Sequence, residues 1–254
     1  MENPSKAKLP NRLWIKLHDC REYIFLGLVT AVGAFLRIFF IILDPTVSRD
    51  GIKYLSYAAG IADTASDVTT FPPLVVWLIR FFHFFGFSWE WSGWLVSLIA
   101  GILSIPVARL IANQVTGNRA VGWGAAVLTA VHPGLINLSS EIQRDALFIL
   151  LEWLSFYYLL RLLSRESLAD WIVLGVLSAL AILTRFEGLE LPVMTAALAI
   201  YLGFRRGGKP VCRGFACFVG ALAVCFALAV LPEGPGCLKE IYFRRWTFVV
   251  KHWK

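Results

Sequence analysis

Long runs of apolar side chains, each close to a spanning length, limit what this chain can become. A helix needs about 20 mostly apolar residues to cross the hydrocarbon of a bilayer. Such runs cover residues 23–43, 89–112, 119–138, 145–163, 168–185, 187–204 and 211–231. Of the 254 residues, 58% are apolar and 16% are charged, against about 25% charged in soluble domains. Mean hydropathy is +0.68. This balance excludes a disordered chain, a coiled coil and an ordinary soluble enzyme. The expectation is an all-α polytopic membrane protein with about seven transmembrane helices.

Two further helices are predicted in the first outer loop, residues 44–88, and neither spans. Ile52, Leu55, Ala59 and Ala62 follow helical spacing in a stretch too short and polar to cross. Residues 74–85 are apolar but short, and Arg80 and His83 interrupt them. Residues 1–22 read as a basic cytoplasmic tail (Lys6, Lys8, Arg12, Lys16, Arg21), and no small-residue cleavage site closes the apolar run that follows. That run is a signal anchor that stays in the protein. Residues 23–231 form the membrane module, and 232–254 a basic, aromatic tail suited to the membrane surface.

The net charge of +7 reports topology rather than nucleic-acid binding. With a cytoplasmic N-terminus, the inner segments hold the N-terminal five basic residues, Arg109, Arg119, Arg161, Arg165, Arg205, Arg206, Lys209 and Arg213. The outer loops before the tail hold only Arg49, Lys53, Arg80, Arg144 and Arg185. That bias follows the positive-inside rule. If 74–85 spanned, every later loop would change sides. The five Cys make no disulfide framework. Cys217 and Cys225 share one helix at roughly 12 Å, too far to bridge. No CxxC or Cys/His cluster suggests zinc, and no metal ligands are assigned.

Ionisable groups at membrane depth are costly and mark function by default. Here the unusual ones collect at the outer face: Asp50 in the first outer loop, Glu141, Arg144 and Asp145 between the third and fourth spans, and Arg185 and Glu187 between the fifth and sixth. Arginines that clamp an anion beside a carboxylate base suit a site that handles a phosphate. Each also has a plainer reading. Asp50 is placed to cap a helix, Glu141, Arg144 and Asp145 to solvate a helix start, and Arg185 with Glu187 to pin a turn. Arg37, near the outer end of the first span, is placed to snorkel to the interface. His83 and His132 read as packed or interfacial.

The order of these features resembles the GT-C superfamily of polytopic glycosyltransferases, in the branch of protein O-mannosyltransferases and lipid A aminoarabinose transferases. The resemblance rests on a first span with a late arginine, then Asp50-Gly51-Ile52-Lys53-Tyr54, Phe71-Pro72-Pro73-Leu74, Gly86, Ser140-Glu141-Ile142-Gln143-Arg144-Asp145 and Leu183-Thr184-Arg185-Phe186-Glu187-Gly188. It implies a polyprenyl-phosphate sugar donor and a lipid, glycan or protein hydroxyl as acceptor. It also implies Asp50 as the catalytic base, with Arg144, Arg185 and Arg37 near the departing phosphate. Tyr54, Glu141, Asp145 and Glu187 complete the substrate-binding candidates. No cofactor is assigned. Some members of the superfamily bind a divalent metal and others do not, and no His/Glu ligand pair stands out here.

The leading expectation is a membrane glycosyltransferase acting at the outer face, in a bacterial inner membrane. Two other classes stay open. A non-catalytic or partner-dependent subunit is suggested by the single carboxylate, since the family often has an Asp-Glu pair where Arg49 and Gly51 flank Asp50. The short length, with fewer spans than full-length relatives, points the same way. A transporter or flippase is disfavoured, because the charges gather at one face and no internal repeat is visible.

Overall fold

The computed structural model describes residues 12–61, 73–165 and 167–230, and among them ten α-helices and no strand. They are α1 (Arg12–Leu43), α2 (Arg49–Ala58), α3 (Pro73–Phe84), α4 (Trp89–Thr116), α5 (Arg119–Val131), α6 (Pro133–Ser140), α7 (Asp145–Ser164), α8 (Leu168–Thr184), α9 (Glu190–Arg206) and α10 (Gly208–Val230). A 3₁₀ turn, Phe186–Leu189, joins α8 to α9. The chain is an all-α, multi-pass integral membrane protein. The tail at 232–254, residues 1–11 of the N-terminal tail and residues 62–72 of the first loop lie outside the described residues.

Among the described residues five helical stretches are long and apolar enough to cross a bilayer, and the bent pair α5–α6 makes a sixth if counted as one span. The seventh predicted run is α8, which is apolar but only 17 residues long. At 1.5 Å per residue it reaches roughly 25 Å, a little short of the hydrocarbon thickness. Its neighbours α7 and α10 cover it: Leu174, Ala179, Ala181, Ile182 and Leu183 are all buried. The two short helices of the first loop behave as their sequences predict. α3 has 12 described residues, roughly 18 Å of helix, under the spanning length. α2 begins one residue after Ser48, whose side chain accepts the Gly51 N–H at 3.2 Å. Gly86, at φ +91°, ends the turn after α3.

Arg80 ties these two helices together. Its Nε donates to the Ala58 carbonyl at 3.0 Å and its Nη2 to Tyr57 at 2.9 Å. These carbonyls close α2, where a helix leaves acceptors unsatisfied. The main core joins α2 and α3 to α4, α7 and α8 through Tyr54, Val75, Ile79, Trp94, Ile142 and Leu183. A second cluster, centred on Leu162, Trp171 and Leu174, closes α7–α10 at the opposite end. Around the bundle, Leu28, Phe35, Leu128, Val193, Phe204 and Leu228 remain exposed, as lipid-facing side chains do.

The α5–α6 bend differs from the single run read from the sequence. The two pieces meet at 51°, and the cause is Pro133. Proline has no N–H to give to the carbonyl four residues back, which here belongs to Thr129. His132 then turns the chain: it ends α5 with an extended backbone, and its Nδ1 accepts the Leu135 N–H of α6 at 3.4 Å.

Candidate functional site

The end of the bundle that carries Asp50 is built around one side chain, Ile142. It lies in the linker between α6 and α7 and is 1% exposed. It fills a slot between α2 and α4 that two glycines leave open. A Cβ at Gly51 would stand 3.1 Å from the Ile142 Cβ, and one at Gly93 would stand 2.7 Å from its Cγ2. Ser97 of α4 then fixes the linker, donating to the Gln143 carbonyl at 3.0 Å. The start of α2, and with it Asp50, is thereby held against residues 141–145.

Charges from separate parts of the chain meet here. Arg185, the residue that closes α8, is the hub. Its guanidinium grips Glu187 in a fork, Nη2 to Oε1 at 3.0 Å and Nε to Oε2 at 3.3 Å, and also pairs with Asp145. It lies over the Phe148 ring, 5.4 Å from the centroid. The turn-pinning pair read from the sequence is therefore present, and it extends to a third residue forty positions away in the chain. Glu141 accepts from Asn137 Nδ2 at 2.9 Å and from the Gln143 amide.

Asp50 and one nitrogen of Arg144 remain without a described partner. Asp50 is exposed in the first turn of α2, with no hydrogen bond or ion pair to a described residue. Arg144 is half-buried, and its Nη1 is enclosed with no hydrogen-bond partner among the described residues. Tyr54 stands between them. Burial pushes its phenol up to about 12; Arg144 opposes the rise by its charge and a side-chain hydrogen bond, and Asp145 and Asp50 add to it. The phenol therefore stays protonated at neutral pH. An open carboxylate at a helix start, a guanidinium with a spare donor and a neutral phenol can together accept a proton and hold an anion.

Arg37 lies apart from this group. It is fully buried in α1, and its two terminal nitrogens donate to backbone: Nη1 to Gly33 at 2.9 Å and Ala130 at 3.1 Å, Nη2 to Thr129 at 3.2 Å, while Nε has no partner among the described residues. Ala130 and Thr129 carry the carbonyls at the Pro133 break. The arginine thus caps the interrupted α5 inside the bundle, where water cannot. The link runs both ways, since Ser140 Oγ at the end of α6 donates to the Arg37 carbonyl at 3.2 Å. His83 stacks on Trp89 with centroids 3.6 Å apart, and its Nδ1 lies 2.8 Å from the Phe87 carbonyl oxygen.

Sequence reasoning missed Ile142, Gln143 and Ser97 as organisers, and Glu152 and Glu190 as further charges. Glu152 lies within electrostatic reach of Glu190 and Arg185. Its signal was present: seven residues after Asp145 is two helical turns, hence the same face. Among the described residues no three His, Cys, Asp or Glu side chains converge as ligands for a metal ion.

Comparison with individual curated proteins gave no match. A family model, described as dolichyl-phosphate-mannose-protein mannosyltransferase, matches residues 70–232. The matched stretch contains Glu141, Arg144, Asp145, Arg185 and Glu187, and begins after Arg37, Asp50 and Tyr54. It covers more than half of the chain, and the chain belongs to this family of GT-C membrane glycosyltransferases.

Proposed function

We propose that the protein transfers a sugar from a polyprenyl-phosphate carrier to a hydroxyl of a lipid, glycan or protein at the outer face of a bacterial inner membrane, with its N-terminus in the cytoplasm. The observation that carries this reading is the pairing, at one end of the bundle, of an uncommitted Asp50 with the unpartnered Nη1 of Arg144. In the reaction, the acceptor oxygen bonds to the anomeric carbon while the bond from that carbon to the phosphate oxygen breaks. The electron pair leaves with the polyprenyl phosphate, and the hydroxyl proton passes to Asp50. Arg144 meets the growing charge on the phosphate, as preorganised donors do in charge-developing steps. Arg185, already shared by Asp145 and Glu187, holds the α7 and α8 ends in register and supplies positive potential. Tyr54 lines the site as a hydrogen-bond donor.

Purified protein incubated with a panel of radiolabelled polyprenyl-phosphate sugars and membrane lipid extract tests this. Label moving to a new species with the wild type, and not with Asp50→Asn, is the expected result. An Asp50→Asn protein of full activity would remove the base assignment. A second reading, a non-catalytic or partner-dependent subunit, is favoured by the lone carboxylate between Arg49 and Gly51. Donor that binds but is never consumed would decide for it.

A further inference from the structure

The end opposite Asp50 carries a cavity with no part in the chemistry above. It measures about 260 Å³ and sits where α7 and α9 finish and α8 and α10 start. Ser167, Trp171, Arg206, Pro210 and Arg213 are among its walls. Arg206 is locked in place: Nη1 donates to the Leu162 carbonyl at 2.9 Å and Nη2 to Leu163. A guanidinium has five N–H donors in a fixed plane, so others remain for a ligand. Arg213 is exposed and pairs with no carboxylate among the described residues, and the same holds for Lys209 one turn before it. The nearest described acid, Asp170, is already shared by Arg161 at 2.8 Å and Arg165 at 3.3 Å. Two helix N-termini, those of α8 and α10, add positive potential at the same mouth.

A second hollow lies beside the first. It is an apolar groove of about 470 Å³ between α9 and α10, and Val211 lines both spaces. Its floor is made by small residues, Ala196, Ala199, Gly203 and Gly208, and Phe204 stands at its rim, 88% exposed. A cationic head pocket beside an apolar groove along two spanning helices is complementary to an anionic amphiphile. Basic pockets at the ends of transmembrane helices take such headgroups.

We propose that this is a binding site for one anionic phospholipid of the leaflet facing that end. The phosphate lies between Arg206, Arg213 and the Ser167 hydroxyl, and an acyl chain lies in the α9–α10 groove. Charge selects the ligand: the pocket offers two arginines and no free acid among the described residues. The groove adds a requirement for a chain, which a free phosphate cannot meet.

The test uses the full-length protein in detergent, with phosphatidylglycerol, phosphatidylcholine and inorganic phosphate as separate probes. Native mass spectrometry reads retained lipid, and thermal unfolding reads stabilisation. Phosphatidylglycerol is expected to be retained at least fivefold over phosphatidylcholine and to raise Tm. Arg213→Gln should reduce that preference to less than twofold. Gly203→Leu should reduce total retention, because a side chain there enters open space and fills the groove without a clash. Both variants leave the Arg206 clamp and the Asp50 end intact, so they fold independently of the outcome. Equal retention of the two lipids, unchanged preference in Arg213→Gln, or equal stabilisation by inorganic phosphate would each overturn the proposal.

Discussion

The two ends of the bundle hold their charges in opposite ratios. At the end away from Asp50, one acid serves two arginines. Glu22 pairs with Arg109 at 2.6 Å and Arg119 at 3.0 Å. Asp170 pairs with Arg161 and Arg165. In each case a carboxylate joins neighbouring helix ends, and Arg109 further packs over Trp123 at 3.8 Å. At the Asp50 end, one arginine serves two acids, and a second arginine and a further acid are left over. The first pattern is what a fastening needs: both described carboxylates, Glu22 and Asp170, are spoken for. The second leaves a base and an anion clamp free to meet something that is not protein. Burial alone would not separate them, because Asp170 is the most enclosed of these acids and has no chemistry to perform.

Substitutions at the two ends should therefore fail in different ways. The largest effect is expected from Asp50→Asn, which should lower sugar transfer by about 10²–10⁴-fold, the range for losing a general base. Its unfolding temperature should match the wild type, since no described residue depends on it. Asp170→Ala should do the reverse, losing about 1.5–3 kcal/mol of stability with its charge-assisted bonds. Its donor KM, measured on the folded fraction, should stay unchanged, and a large rise there would break the comparison. Gly93→Val should cost about 1–3 kcal/mol by overpacking and should reduce transfer by displacing the 141–145 linker. Adding Ile142→Ala should restore part of both, and a double mutant worse than either single would remove Ile142 as the wedge. Arg144→Gln should lower kcat about tenfold, equivalent to about 1.4 kcal/mol, with the donor KM changed less. A variant with raised KM and unchanged kcat would make the arginine a ground-state clamp and remove it from the charge-developing step.

Much of the fold was legible because lipid solvation writes itself into composition: the runs at 23–43, 89–112, 145–163 and 187–204 need no partner to be recognised. The helix at 74–85 was legible as well, and its described length of 12 residues is under the spanning length. The bend at Pro133 was less legible. Hydropathy averages across it, while its cause is one missing N–H. Of the site, the gathering of Arg185 with Asp145 could be expected only as a shared face. The pairing depends on where α7 and α8 cross, and no local pattern encodes that. Arg37 shows the same limit from the other side. A lone arginine in a span reads equally as a snorkelling cation or a ligand group, and only the carbonyls of α5, far along the chain, make it a cap.

That cap has a consequence for how the protein is made. The first span enters the membrane with an arginine whose partners lie 92 and 93 residues further on. An arginine at the centre of an inserting helix costs about 2.5–3.5 kcal/mol, and Arg37 carries part of that burden until α5 emerges. The integration of α1 is thus settled late, by a segment that is itself broken and needs the guanidinium as much as the guanidinium needs it. Neither piece is finished before the other arrives, so the order of synthesis, and not only the final packing, is written into this one residue.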